Sequence, residues 1–245
     1  MKADPFRQQR LLELQALDTR LGQLEHQIRT LPEHAALADL QARVEDADAE
    51  VVRLRTAHDD VQRELAKADA DVTLVRDRAT RDQQRLEAGS GSPKDLQGLQ
   101  HELTSLARRQ ATLEDIEIEV MERAEELASA VERAERTAAD LAQEATSVTG
   151  ERDASVSRLN GEHGDVAAGR AAVVAEVGEE LLALYDRVRA HSGTGAAALV
   201  ARRCTGCRLE LTASDVSKFR SAASDEVLRC EECRRILIRT PESGL

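Results

Sequence analysis

Fifteen positions between Leu37 and Leu86 recur at alternating spacings of three and four residues and hold one register for seven heptads. They are Leu37, Leu40, Val44, Ala47, Val51, Leu54, His58, Val61, Leu65, Ala68, Val72, Val75, Ala79, Asp82 and Leu86, and only His58 and Asp82 are polar. A seam of this kind commits a chain to long helices that pair along one stripe, because the 3.5-residue repeat keeps a and d positions facing a partner helix. Composition agrees. Aromatics make up 1% of the 245 residues and there is no Trp, so the apolar supply is Ala, Leu and Val, which suits thin helix–helix seams rather than a thick core.

The same spacing appears earlier, at Leu14, Leu17, Leu21, Leu24, Ile28 and Leu31, and predicts a first helix over about residues 6–31. Pro32 removes a helical donor, and the phase slips from an expected 38 to Leu37, so a break is predicted before a second helix over 34–87. Ala88-Gly89-Ser90-Gly91-Ser92-Pro93 reads as the reversal, a turn at 88–93 with Ser92 as N-cap and Pro93 in the first helical turn. The return run is Leu96, Leu99, Leu103, Leu106, Leu113, Val120, Ala124, Leu127, Val131, Ala134, Ala138, Leu141, Ala145 and Val148. Gln110 and Glu117 interrupt it, with Ile116 and Ile118 nearby as substitutes. One helix over 94–190 is expected, bent or frayed near 160–170, where Gly161, Gly164 and Gly169 thin the signal. His191-Ser192-Gly193-Thr194-Gly195 then marks a boundary between a coiled-coil domain over 1–192 and a compact tail over 196–245.

The tail carries the chemistry. Cys204-Thr205-Gly206-Cys207 is followed after 22 residues by Cys230-Glu231-Glu232-Cys233, and the chain has no other cysteine. Two residues between cysteines let one tight turn aim both sulfurs at a single ion, and two such turns complete the tetrahedron of a structural zinc. Gly206 is expected to relax the backbone of its turn. Arg208–Leu211, Glu226–Arg229 and Ile236–Arg239 are β-prone, giving the layout of a C4 zinc ribbon that holds one structural Zn²⁺ on Cys204, Cys207, Cys230 and Cys233. Four cysteines also admit an iron–sulfur centre, two disulfides or a redox CxxC. The redox motif lacks its βαβ context. Disulfides are disfavoured by a reducing, cytoplasmic compartment, which follows from an N-terminus without a signal-peptide pattern. No stretch is apolar enough for membrane insertion. Four thiolates leave no open coordination position, His26, His34, His58, His101, His163 and His191 show no ligand spacing, and no nucleophile–base set appears, so the chain is read as no enzyme.

Net charge is −12 and is unevenly placed. Residues 196–245 hold 9 Lys/Arg against 7 Asp/Glu, which leaves 25 against 39 for residues 1–195. The long segment would repel nucleic acid. Any such contact falls to Arg202, Arg203, Arg208, Lys218, Arg220, Arg229, Arg234, Arg235 and Arg239, among which acids are interleaved and Phe219 is the lone aromatic.

The segment Ser92-Pro93-Lys94-Asp95-Leu96-Gln97-Gly98-Leu99-Gln100-His101-Glu102-Leu103, together with the paired CxxC, resembles a bacterial family of coiled-coil zinc-ribbon proteins. Its best-known members act as chaperone-like adaptors in flagellar and type III secretion systems. Asp95 stands where that family usually has Glu. The resemblance implies zinc on the four cysteines and a protein-binding coiled coil, without a flagellar role. The expectation is therefore a mainly α chain, a long antiparallel coiled-coil helical hairpin with a small β-containing C4 zinc ribbon. Its expected function is that of a non-enzymatic adaptor or scaffold for protein partners. The alternative is a nucleic-acid-binding or transcription-associated protein contacting DNA or RNA through the ribbon. Oligomeric state stays open, because unmatched seam in residues 94–190 offers a surface to a second chain.

Overall fold

The computed structural model describes residues 1–89 and 91–245. Its elements in order are α1 (Pro5–Arg29), α2 (Pro32–Glu87), α3 (Pro93–Val177), α4 (Glu179–Ser192), β1 (Ala196–Val200), β2 (Arg203–Cys204), α5 (Ala213–Ser221), β3 (Leu228–Arg229) and β4 (Ile236–Arg239). Packing groups them into two compact units, Ala35–Thr149 and Met1–His34 with Gly150–Leu245.

In the first of these units α2 and α3 form an antiparallel coiled-coil hairpin. All fifteen seam positions of α2 are buried or half-buried, with Val51, Val61, Ala68, Val72 and Val75 among the buried ones. Val61 packs with Val120 and Ala124 of α3. Ion pairs flank the seam: Arg55–Glu135, Arg76–Glu114 at 2.6 Å, Arg123–Glu64 at 3.1 Å and Arg78–Glu102. Exposed pairs of this kind add little net stability, because water and salt screen them, and chiefly fix register. The polar interruptions stay in the seam. Gln110 and Glu117 are half-buried, whereas Ile116 and Ile118, expected to replace them, are 44% and 51% exposed. Helical geometry explains this, because a residue one position away from the stripe points about 100° off it. At the start of α3, Ser92 and Asp95 exchange bonds, the Ser92 N–H donating to Asp95 Oδ2 at 2.9 Å and the Asp95 N–H to Ser92 Oγ at 3.3 Å. Ser90, within the turn expected at 88–93, lies outside the described residues.

The other unit joins α1, the end of α3, α4 and the sheet. The single helix expected over 94–190 is two. It runs unbroken through Gly161, Gly164 and Gly169 and divides at Gly178, whose φ of 87° places it in the left-handed region that glycine tolerates. An added Cβ there would lie 3.0 Å from Arg7 Nη1, so the position is tight as well as conformationally special. The sheet order is β2-β1-β4-β3, with β1 and β4 parallel and the outer pairs antiparallel. Ile236, Leu237 and Ile238 of β4 are all buried, because both faces of this strand are covered. Ile236, Ile238 and Ala196 face Leu11 and Leu14 of α1, Val173 and Val177 of α3, and Leu181 and Tyr185 of α4. Leu237, Ala197 and Leu199 face the opposite way, onto Phe219, Leu228, Cys204 and Cys230.

Three differences from the expected tail follow. Residues 196–200 form a strand that the sequence did not announce, Arg208–Leu211 contributes only the bridge Arg203–Glu210, and a helix, α5, occupies 213–221. The helix is closed by a capping box in which Thr212 Oγ1 accepts from the Asp215 N–H at 3.2 Å and the Thr212 N–H donates to Asp215 at 3.3 Å.

One buried polar cluster ties this unit together. Asp18 of α1, 3% exposed, accepts from the Tyr185 hydroxyl at 2.7 Å and from Arg170 Nε at 2.7 Å, with Arg189 Nη1 at 3.2 Å. Gln15 Oε1 accepts from the Gly195 N–H at 2.6 Å, one helical turn away. Asp18 thus links α1 to α3 and α4, while Gln15 holds the entry to β1. Burial, then the bond to Asp18, pushes the Tyr185 phenol well above its ordinary value. The folded form holds it protonated, so its contribution to stability is complete below about pH 10 and is lost as pH rises further.

Asp18→Ala should destabilise the chain by about 3–5 kcal/mol, read from urea unfolding, because two guanidiniums and a phenol lose a buried acceptor. Tyr185 is the only tyrosine and there is no tryptophan. Tyrosinate absorbance should therefore show no ionisation near pH 10 in the folded protein, and an ordinary titration in the Asp18→Ala chain would accompany loss of the cluster.

Candidate metal centre

The two CxxC segments fold into matching turns. In the first, the Arg208 N–H donates to the Cys204 carbonyl at 2.7 Å and the Cys204 N–H to the Leu209 carbonyl at 3.0 Å. In the second, Arg234 donates to Cys230 at 2.9 Å and Cys230 to Arg235 at 3.0 Å. The fourth residue after each leading cysteine, Arg208 and Arg234, has a positive φ, 64° and 62°. The left-handed turn expected of Gly206 therefore falls on Arg208 instead. Gly206 meets a different constraint: a Cβ there would lie 2.8 Å from Arg235 Cδ and 3.1 Å from Ala197 Cβ. Glycine at 206 lets the turn settle onto β1 and the stem of Arg235.

These turns bring all four sulfurs within 4.8 Å of one another, a group of donors suited to holding a metal ion. Cys204 and Cys230 are buried and Cys207 and Cys233 half-buried. Sγ of Cys204 lies 3.8 Å from that of Cys233, and Cys207 Sγ lies 3.8 Å from Cys230 Sγ. That separation is the edge of a tetrahedron whose centre is about 2.3 Å from each sulfur, the zinc–thiolate distance. It is far too long for an S–S bond, and the four cysteines are free. The donor set and the spacing both fit one structural Zn²⁺.

The metal-free thiols differ. Burial pushes Cys230 up to about 12 and also raises Cys204. Burial acts the same way on Cys233, but donation from the Arg235 backbone and contacts with Cys230, Arg235 and Cys204 outweigh it and bring that thiol to about 7. One thiolate is thus readily available, and zinc must displace the protons of the buried pair. Metal uptake releases protons and weakens as pH falls.

The surroundings use several of the tail's basic residues internally. Arg235 reaches Thr194 Oγ1 and, at 3.1 Å, the Ser192 carbonyl, binding the second turn to the end of α4. Arg239 donates to the carbonyls of Ala222, Ala223, Ser224 and Glu226 at 2.6–3.2 Å, closing the end of α5. Arg202 bonds the Gly244 carbonyl, Arg203 pairs with Glu210 and Lys218 with Glu231. These side chains, candidates for phosphate contacts from the sequence, meet backbone carbonyls and carboxylates brought near by the fold instead.

Comparison with known proteins gives the same two parts. The profile of the CT398-like coiled coil hairpin domain matches residues 14–193, and that of the C4-type zinc ribbon domain matches residues 203–237, which include all four cysteines. The uncharacterized protein Rv2229c of Mycobacterium tuberculosis is 39% identical over 244 residues, covering 98% of each chain. A solved structure from Mycobacterium smegmatis, 35% identical, superposes with a TM-score of 0.84 over 98% of this chain and 100% of that one. CT398 of Chlamydia trachomatis, 18% identical, shares the fold with a TM-score of 0.64 over 96% and 98% of the two chains. Among the described residues, no helix is long and apolar enough to cross a membrane.

Cys204→Ser should lower zinc from one ion per chain to a substoichiometric content. Amide exchange should accelerate across residues 196–245 and stay unchanged in the α2–α3 hairpin. Full zinc retention would remove Cys204 from the ligand set.

Proposed function

Because the chain belongs to the family of CT398-like coiled coil hairpin proteins carrying a C4-type zinc ribbon, we propose that it is a non-enzymatic cytoplasmic adaptor for protein partners. In this reading Cys204, Cys207, Cys230 and Cys233 ligate the zinc, residues 1–192 form the coiled-coil domain and residues 196–245 the ribbon domain. The observation that carries it is the pairing of closed metal chemistry with an extended seam. The four-sulfur group offers no position for a substrate or an activated water. The hairpin displays two long charged flanks and half-buried polar faults at Gln110 and Glu117 rather than a concave, convergent set of titratable groups.

Protein is favoured over nucleic acid. Of the tail's basic residues, Arg202, Arg203, Lys218, Arg235 and Arg239 already serve acceptors within the chain. Tyr185 and Phe219, two of the three aromatics, are buried and cannot stack on bases.

Affinity capture with the intact zinc-loaded chain should recover a discrete protein partner in stoichiometric amount. The partner should be lost with Cys204→Ser or with Lys94→Glu beside the hairpin turn. Recovery of no partner across several growth conditions, or recovery of nucleic acid that charge reversal at Arg202 and Arg203 abolishes, would contradict the adaptor reading.

A further inference from the structure

Where the end of α4 meets the second cysteine turn, the surface opens into a cavity of about 500 Å³. Leu184, Val188 and Ala190 of α4 supply its apolar part, and Cys233 stands at one wall. Around it stand Arg187, Arg229, Arg234 and His191, and no carboxylate is among its lining residues. In a chain of net charge −12 that is an unusual concentration of cations. Elsewhere in the same unit several guanidiniums meet carboxylates: Arg170 and Arg189 at Asp18, Arg10 at Glu176, Arg20 at Glu162. Those around this cavity are less engaged. Arg187 makes no ion pair among the described residues, Arg229 spends only Nε, on the Arg234 carbonyl at 2.9 Å, and Arg234 has a single long pair with Glu231 at 3.5 Å. Arg234 also holds a left-handed φ of 62°, a conformation glycine would adopt without strain.

We propose that this cavity is a docking site for an acidic peptide segment of a partner protein, one that places an apolar side chain between carboxylates. The proposal rests on the adaptor reading and names its surface. The volume lies within the range of sites that enclose a small ligand or a few side chains. Val188 and Leu184 accept the apolar side chain, while the planar guanidiniums take carboxylates in paired hydrogen bonds. With zinc bound, four thiolates leave about two negative charges beside the cavity, which three guanidiniums outweigh. A nucleic-acid strand fits less well, because the cations ring one concavity instead of forming a track, and no aromatic lines it.

The test uses the zinc-loaded full chain and a fluorescent synthetic peptide of alternating glutamate and leucine, followed by anisotropy at low salt. A glutamine–leucine peptide and a single-stranded oligonucleotide are the comparison probes. The glutamate peptide should bind, the glutamine peptide should bind at least about tenfold more weakly, and Arg187→Glu should weaken the glutamate peptide about tenfold or more with zinc content unchanged. Absence of peptide binding, equal binding by the Arg187→Glu chain, or tighter binding of the oligonucleotide at these same arginines would overturn the proposal. Loss of zinc from the Arg187→Glu or Arg229→Glu chain would assign the cations to the metal and overturn it too. A partner captured equally by the intact and Arg187→Glu chains would remove this site and leave the adaptor reading standing. Peptide binding without any captured partner would do the reverse.

Discussion

Four sulfurs gathered within 4.8 Å set the terms for the C-terminal third of the molecule. Burial makes the Cys204 and Cys230 thiols resist ionisation, so the group becomes a thiolate cage only when an ion displaces their protons. A metal ion then adds folding energy to the ribbon, because its bonds form only once both turns are in place. The rest of the ribbon supports this arrangement. The two turns share one hydrogen-bonding pattern, Gly206 permits close approach to β1, and Arg235 fastens the second turn to the end of α4.

The ribbon does not stand alone. Its central strand β4 sends alternate side chains to opposite faces, so one face of the sheet completes the zinc-side core and the other shares a core with α1, α3 and α4. A tail of this size rarely builds a sufficient core by itself. Sharing one with the helices solves that problem, and the Asp18 cluster specifies how they meet. The N-terminal segment adds a further tie: the Ala3 N–H donates to the Asp225 carbonyl at 2.8 Å, and the Val227 N–H donates to the Met1 carbonyl at 3.1 Å.

Periodicity made the hairpin legible, because fifteen seam residues obey one rule and local spacing is what a helix reads. The cysteine pairs were legible for the same reason: their geometry is set by a two-residue gap. What escaped depends on contacts between residues far apart in the chain. Asp18 looks like any acid on a helix face until Tyr185 and Arg170 arrive from more than 150 positions away. Strand β1, Ala196-Ala197-Ala198-Leu199-Val200, has no alternation to announce it, since both its faces are covered. Thr212 and Asp215 carry a readable capping box for α5, masked by the β-prone segments on either side of it. Gly178 broke a helix where Gly161, Gly164 and Gly169 did not, because only there does the backbone turn left-handed against Arg7.

The most direct test of this account is X-ray absorption at the zinc edge of the purified full-length protein. Four sulfur scatterers at about 2.3 Å, with no nitrogen or oxygen in the first shell, are the predicted result. A mixed shell containing a water or histidine, or iron in place of zinc, would contradict the closed structural site on which the ribbon and the proposed function both rest.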